Sequence, residues 1–134
     1  MNKVKILVVD DDANLLKLVA MWLSKEGYAV TCVQGVSIEE KLVAFGSAFQ
    51  GVIEPSTFAV AIVDGDLGPK SAAGWQLVPF LRSAGVICIA CTSREDYEEK
   101  LMEAGCWSKA NKVQILDSIP PLVAAAIAQT TKVA

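Results

Sequence analysis

Short apolar runs alternate along this chain with segments of helical periodicity, and this alternation restricts the folds that the chain can adopt. The apolar runs lie at 4–9, 28–33, 58–63 and 86–91, with a weaker one at 107–111. Helical patterns lie at 13–26, 38–45, 73–83, 94–104 and 118–130. Such short runs are typical of buried strands, and parallel strands need long connections, usually helices. The sequence therefore predicts an α/β fold with a doubly wound, five-stranded parallel sheet and helices on both faces.

Capping and turn residues set the predicted bounds of the helices. Gly27 is expected to end the first helix, and Ser37 to cap the second, whose first turn carries glutamates. The last helix is expected to open at 118–121, where proline suits a first turn. The segment 46–57 looks like an insertion before the third strand. It could cover the sheet edge or contact a partner, but extra core packing is the simpler interpretation.

Length and charge narrow the class of protein. The 134 residues predict one domain, 1–134, and 53% hydrophobic residues are enough for a packed core. The net charge of −3 and the scattered lysines and arginines argue against direct binding of nucleic acid or an anionic membrane. The first apolar run is too short for a signal peptide or membrane span, so we expect a cytoplasmic protein.

The chain contains four cysteines and no histidine. Cys88 and Cys91 match a C-x-x-C motif, but they lie within a predicted strand, where residues three apart point to opposite faces. Core packing is therefore the favoured interpretation. The absence of histidine excludes histidine-based zinc sites and Ser-His or Cys-His catalysis within this chain.

Polar residues follow the predicted strands at their carboxyl ends, which is where ligands bind in open parallel sheets. Asp10 and Asp11 follow the first strand, Asp64 the third, Thr92 the fourth and Lys112 the fifth. Carboxylates gathered in this way raise each other's pKa unless a cation neutralises them. Hard oxygen ligands favour Mg2+. We therefore predict a magnesium site at this edge of the sheet.

A carboxylate beside a metal and a lysine can act as a nucleophile towards phosphorus, forming an acyl phosphate. Asp64 directly ends an apolar run, so it is the favoured acceptor, with Asp66 as the alternative. A hydroxyl at Thr92 and an ammonium at Lys112 could contact the new phosphoryl oxygens. Asp12 is predicted only to cap the first helix.

From Lys5-Ile6-Leu7-Val8-Val9-Asp10-Asp11-Asp12 to the last helix, the sequence resembles the response-regulator receiver family. The resemblance implies a flavodoxin-like strand order 2-1-3-4-5 and phosphorylation of Asp64 with Mg2+. It implies that Asp10 and Asp11 form the acidic pair and that the backbone carbonyl of Asp66 also binds the metal. Thr92 would be the switch hydroxyl, and Lys112 the lysine that follows Gly105. The expected partners are a sensor histidine kinase or phosphotransfer protein and a downstream protein target, and no enzymatic role is expected.

The sequence departs from the family pattern at several positions. The loop after Asp64 is two residues longer than usual, the stretch from Thr92 to Gly105 is two residues shorter, and Val113 replaces a proline. Lys109 occupies the place where the family often has a tyrosine or phenylalanine.

Two other functions stay open at this point. One is a receiver-like protein-binding module that is not phosphorylated. The other is a small phosphatase, since Asp64-Gly65-Asp66 resembles the nucleophile motif of haloacid-dehalogenase-like enzymes. In that family, however, the motif follows the first strand and the other acidic residues come after the lysine, which reverses the order found here.

Overall fold

The computed structural model describes residues 3–132 and contains eight strands and four α-helices within that range. In chain order the elements are β1 (Lys5–Val9), α1 (Ala13–Lys25), β2 (Ala29–Val33), β3 (Gly35–Ile38), β4 (Leu42–Phe45), β5 (Gly51–Ile53), a 3-10 helix (Pro55–Thr57), β6 (Val60–Val63), α2 (Gly74–Ser83), β7 (Ile87–Ala90), α3 (Glu95–Ala104), β8 (Ser108–Lys109) and α4 (Ile115–Lys132). None of these helices is long and apolar enough to cross a membrane.

The main sheet has five strands in the order β2-β1-β6-β7-β8, and every neighbouring pair is parallel. Counting only these five strands along the chain, the order is 2-1-3-4-5, so the predicted fold class is confirmed. The central strands β1 and β6 are buried almost throughout, as expected for a parallel sheet covered on both faces. The sheet order reverses beside β1, where such folds bind their ligands.

Alternate residues of the central strands enter two separate hydrophobic cores, one on each face of the sheet. Leu7 and Val9 of β1 belong to one core, whereas Ile6 and Val8 belong to the other. The first core includes residues of α2 and α3, and the second includes residues of α1 and α4. The prediction of helices on both faces is therefore confirmed. Cys88 and Cys91 fall in different cores, as predicted, and the four cysteines are free.

The predicted helix at 38–45 is wrong. Residues 35–53 instead form a small antiparallel sheet in the order β3-β4-β5, and Ser37 lies within β3 rather than at a helix start. Burial alternates along β4, where Leu42 and Ala44 are buried while Val43 is exposed. Gly35 accommodates the ring of Phe45 from the facing strand, since a side chain at that position would collide with it. This small sheet packs on the core that contains α2 and takes the place of the predicted helix.

The structure tests two further predictions, one on the packing of the segment 46–57 and one on the start of the last helix. The segment 46–57 contains β5 and the 3-10 helix; it buries Ile53 in the first core, which confirms the core-packing interpretation for that residue. The last helix begins at Ile115 rather than at 118, so both prolines lie inside it. The carbonyl of Gln114 accepts hydrogen bonds from the backbone N–H groups of Asp117 and Ser118, and this starts the helix directly after the turn that the Asn111 side chain closes.

Candidate functional site

The register of the main sheet brings Asp10 and Asp64 together. Val9 lies opposite Val63 in the parallel pair of β1 and β6, so the next residue of each strand emerges at the same edge. The backbone N–H of Asp10 donates to the carbonyl of Val33 at 3.0 Å, and that of Asp64 donates to the carbonyl of Val9 at 2.9 Å. The strand ladder therefore continues into both aspartates and holds them side by side. Both residues are buried.

The side chain of Lys112 bridges the two buried carboxylates. Its Nζ lies 2.7 Å from Oδ2 of Asp64 and 2.9 Å from Oδ2 of Asp10. Two backbone hydrogen bonds hold the segment just before Lys112. The N–H of Ala110 donates to the carbonyl of Ala90 in β7, and the N–H of Asn111 donates to the hydroxyl of Ser118 in α4. The end of β8 and the start of α4 thus fix the lysine at the site.

Burial and Lys112 have opposite effects on the pKa of Asp10. Burial raises the pKa of Asp10 to about 6, and this effect outweighs the hydrogen bonds from the backbone N–H of Asp12 and from Lys112, which lower it. Burial alone would lower the pKa of Lys112, but its hydrogen bonds to Asp64 and Asp10 raise it above the ordinary value. The site therefore keeps a lysine ammonium between two carboxylates that water hardly reaches.

Three carboxylates can converge on a single cation. Asp10, Asp11 and Asp64 each offer an oxygen, and these oxygens lie within 4.8 Å of one another. Asp11 is exposed, so it adds a third charge from the solvent side, where Mg2+ can keep several of its waters. The donor set contains only hard oxygens and therefore fits Mg2+ or Ca2+ rather than a soft metal. Asp12 caps α1 as predicted, since its side chain accepts hydrogen bonds from the backbone N–H groups of Asn14 and Leu15.

Asp66 differs from Asp64 in its surroundings. Its residue is exposed, and its side chain accepts a hydrogen bond from the backbone N–H of Gly68 at 3.0 Å, which turns it towards its own loop. Among the ion pairs within residues 3–132, Lys112 joins Asp64 and Asp10 but not Asp66. The role of the Asp66 backbone carbonyl as a metal ligand remains a prediction.

Thr92 lies two residues beyond the end of β7 and is buried. Its hydroxyl accepts a long hydrogen bond, 3.5 Å, from the backbone N–H of Arg94. Thr92 and Lys112 line the same open cavity of about 350 Å³, together with Lys109 and Asn111. The ammonium of Lys109 forms an ion pair with Glu98 of α3 at 3.1 Å. The structure thus places the predicted hydroxyl and lysine beside one opening, next to Asp64.

Two glycines let the chain pack closely around the loop that follows Asp64. A Cβ at Gly74 would collide with the backbone carbonyl oxygen of Asp64, and the Gly74 N–H donates to the carbonyl of Gly65 at 2.9 Å. A Cβ at Gly65 would approach the side chain of Tyr97 to 2.9 Å. The first residue of α2 is therefore in direct contact with the segment that follows the strand, which only glycine permits.

An aromatic and cationic cluster beside Gly65 was missed from the sequence. The rings of Trp75 and Tyr97 lie 5.2 Å apart, and the guanidinium of Arg94 lies 4.0 Å from the Tyr97 ring centroid. Lys100 covers the other ring, with its Nζ 4.6 Å from the Trp75 centroid. Trp75 lies in α2 whereas Tyr97 and Lys100 lie in α3, so only the fold brings them together. The spacing of Arg94, Tyr97 and Lys100 along α3 was the one available signal.

No protein-family model and no curated protein sequence matches the chain. Many solved structures do, over nearly its whole length. A response regulator receiver domain from Clostridium thermocellum has a TM-score of 0.72 at 17% identity, covering 98% of this chain and 99% of that one. A CheY-like receiver domain protein from Methanospirillum hungatei has a TM-score of 0.65 at 18% identity, covering 98% and 99%.

A response regulator protein from Burkholderia pseudomallei, solved with a phosphorylated aspartic acid, a calcium ion and citrate, also matches. Its TM-score is 0.60 at 19% identity, covering 96% of this chain and 73% of that one. The chain therefore has the fold of response-regulator receiver domains.

Proposed function

We propose that the chain is the phosphoacceptor receiver domain of a two-component phosphorelay, phosphorylated on Asp64 with Mg2+ and signalling by a change of conformation. The observation that carries this proposal is the lysine bridge, in which Lys112 contacts Asp64 and Asp10 while Asp11 lies open to solvent beside them. In this proposal the domain is a signalling module rather than an enzyme. Its donor is a sensor histidine kinase or a phosphotransfer protein, and its output is a protein target.

The proposed transfer uses one oxygen of Asp64 as the nucleophile. That oxygen forms a bond to phosphorus as the bond between phosphorus and the donor's imidazole nitrogen breaks, and the imidazole leaves. Lys112 already touches Oδ2 of Asp64, so its ammonium is placed to follow the negative charge onto the phosphoryl oxygens. Thr92 contributes a hydroxyl from the next strand end.

Bound Mg2+ would neutralise charge on the transferred group, and Asp10, Asp11, Asp64 and the backbone carbonyl of Asp66 would hold it. In this proposal Asp10 and Asp64 would bind the cation from the buried side, and Asp11 would bind it from the solvent side. Phosphorylated hydroxyls carry roughly 1.5 to 2 negative charges at neutral pH, and a similar charge on Asp64 would attract both Lys112 and the Thr92 hydroxyl. The resulting movement of the Thr92 segment is the proposed signal.

The test is the intact mass of the protein after incubation with acetyl phosphate, with and without Mg2+. The wild type is expected to gain one base-labile phosphoryl group only when Mg2+ is present. Asp64→Asn is expected to gain none, whereas the matched control Asp66→Asn keeps the gain. Labelling of Asp64→Asn but not of Asp66→Asn would move the acceptor to Asp66. No gain in the wild type, with acetyl phosphate or with a phosphorylated histidine kinase domain, would favour the protein-binding module that is not phosphorylated.

A further inference from the structure

Apolar side chains that are exposed to solvent line part of a groove between the small sheet and α2. It encloses about 230 Å³ and runs between the β3–β4 turn, the end of β5 and α2. Val52 of β5 and Phe80 of α2 line it, and they are 45% and 47% exposed. Val43 stands directly opposite Val52 across β4 and β5 and is also exposed, so apolar surface extends from the groove onto the sheet. Isolated exposed apolar residues are common, but a contiguous set beside a concave surface indicates a binding site.

The rim of this groove is acidic. Glu39, Glu40 and Glu54 line it, with Lys41 as the single cation. None of the three glutamates takes part in an ion pair within residues 3–132. The groove therefore suits a surface that presents apolar side chains flanked by lysine or arginine.

Helix α1 of the same chain presents such a surface. Leu18, Met21 and Trp22 are 41%, 49% and 38% exposed, and their spacing places them on one side of the helix together with Lys25. The Lys25 ammonium lies 5.5 Å from the Trp22 ring centroid, and Lys17 is exposed at the margin of the same side. The helix contains no acidic residue. We call these five residues the α1 stripe.

We propose that the groove binds the α1 stripe of a second copy of this chain. The exposed Leu18 and Met21 would lie against Val52 and Phe80, and the stripe's two lysines would pair with the unpaired glutamates at the rim. Complementary charges of this kind favour encounter and fix the register of an interface. The proposal does not depend on phosphorylation of Asp64.

The positions of the two surfaces determine the kind of assembly. The small sheet belongs to the core on one face of the main sheet, and α1 belongs to the core on the other face. In the arrangement that we propose, the stripe of one copy fills the groove of the next, so each bound copy leaves one stripe and one groove free. Such head-to-tail contacts build rings or open chains rather than closed dimers.

The first test is the mass of the wild-type protein by size-exclusion chromatography with light scattering, over a series of protein concentrations at low and high salt. We expect a mass that rises beyond the dimer with concentration and falls with salt, because the interface includes charge pairs. A protein that stays monomeric at the highest concentration in low salt, or that stops at a dimer, would overturn the proposal.

Two variants test the surfaces separately. The groove variant carries Glu40→Lys and Glu54→Lys, and the stripe variant carries Leu18→Ser and Met21→Ser. Each is expected to be monomeric alone, whereas the control Glu103→Lys, an exposed glutamate of α3, is expected to assemble like the wild type. Assembly of either variant to the wild-type extent would place the contact elsewhere on the protein.

Mixing the two variants gives the decisive result. The groove variant keeps an intact stripe and the stripe variant keeps an intact groove, so one contact can form and no second contact can follow. The mixture is expected to form a one-to-one complex and nothing larger. Circular dichroism and thermal unfolding of each variant test whether it is folded. Folded variants that do not associate on mixing would refute the pairing of groove and stripe.

Discussion

Replacing Lys112 with methionine removes the charge of this residue and keeps an unbranched side chain of similar size. The side chain of Lys112 is only 21% exposed, and it contacts carboxylates that are 5% and 7% exposed. Removing one partner of a buried pair leaves uncompensated buried charge, which destabilises a protein by about 3 to 5 kcal/mol. Because Lys112 keeps some contact with water, we expect Lys112→Met to lower the free energy of unfolding by about 3 kcal/mol at neutral pH.

This loss of stability should depend on pH with a definite sign. Burial raises the pKa of Asp10 from 3.8 to about 6 in the folded protein, so the contribution of Asp10 to stability is greatest below pH 3.8 and is lost as the pH rises through about 6. Lys112 is one of the groups that lower this pKa. Without it the pKa of Asp10 rises further, and ionisation of Asp10 opposes folding more strongly. The difference between wild type and variant should therefore be smaller near pH 4 than above about pH 7.

Urea unfolding of both proteins at about pH 4 and about pH 8 measures this difference. Lys109→Met is the matched control, because Lys109 also pairs with a carboxylate but is 62% exposed, and exposed pairs contribute about 0 to 1 kcal/mol. Saturating Mg2+ should restore more stability to Lys112→Met than to the wild type, since the cation replaces the missing charge. If Lys112→Met lost no more stability than Lys109→Met at the higher pH, or lost the same amount at both, the electrostatic reasoning would be refuted.

Three further predictions concern other parts of the molecule. The dissociation constant for Mg2+ should rise as the pH falls through about 6, because a proton on Asp10 competes with the cation; calorimetric titration of wild type and Asp10→Asn checks this, and a pH-independent wild type would contradict it. Gly74→Ala should lower the free energy of unfolding by about 1 to 3 kcal/mol, because its Cβ meets the carbonyl oxygen of Asp64; an unchanged urea midpoint would count against that contact. The thiols of Cys88 and Cys91 should react with Ellman's reagent only on unfolding, because burial raises both pKa values to about 12; prompt reaction of a native variant carrying Cys32→Ser and Cys106→Ser would disprove it.

The main sheet and the position of the site could be predicted because both depend on a simple pattern. Continuous apolar runs of β-branched residues are typical of strands that are buried on both faces, and the polar residue after each run must lie at the carboxyl edge. Asp10, Asp64, Thr92 and Lys112 all follow this rule. Lys112 contacts both aspartates, and it lines one opening together with Thr92. Their distances could not be predicted, because the lysine bridge depends on the turn at Asn111, whose partner Ser118 lies seven residues further along the chain.

The small sheet could not be predicted because local and tertiary preferences differ in this segment. Ser37 followed by two glutamates matches a helix start, but Val36, Val43 and Phe45 are β-branched or aromatic residues that favour strands. A segment of eight residues is too short for helical propensity to decide its structure without packing. The burial of Val36, Leu42 and Ala44 against the core fixes the alternating pattern of a sheet instead.

The small sheet and the long loop after Asp64 form one structural unit. The hydroxyl of Ser71 accepts a hydrogen bond from the backbone N–H of Val36 at 2.8 Å, and the backbone N–H of Ala72 donates to the carbonyl of Val36 at 2.8 Å. The loop thereby extends the hydrogen bonding at the edge of β3, which would otherwise present unpaired backbone groups. The small sheet and this loop therefore stabilise each other. Since the loop begins at Gly65, directly after the proposed acceptor, any movement of that loop on phosphorylation must break these bonds or carry the small sheet with it.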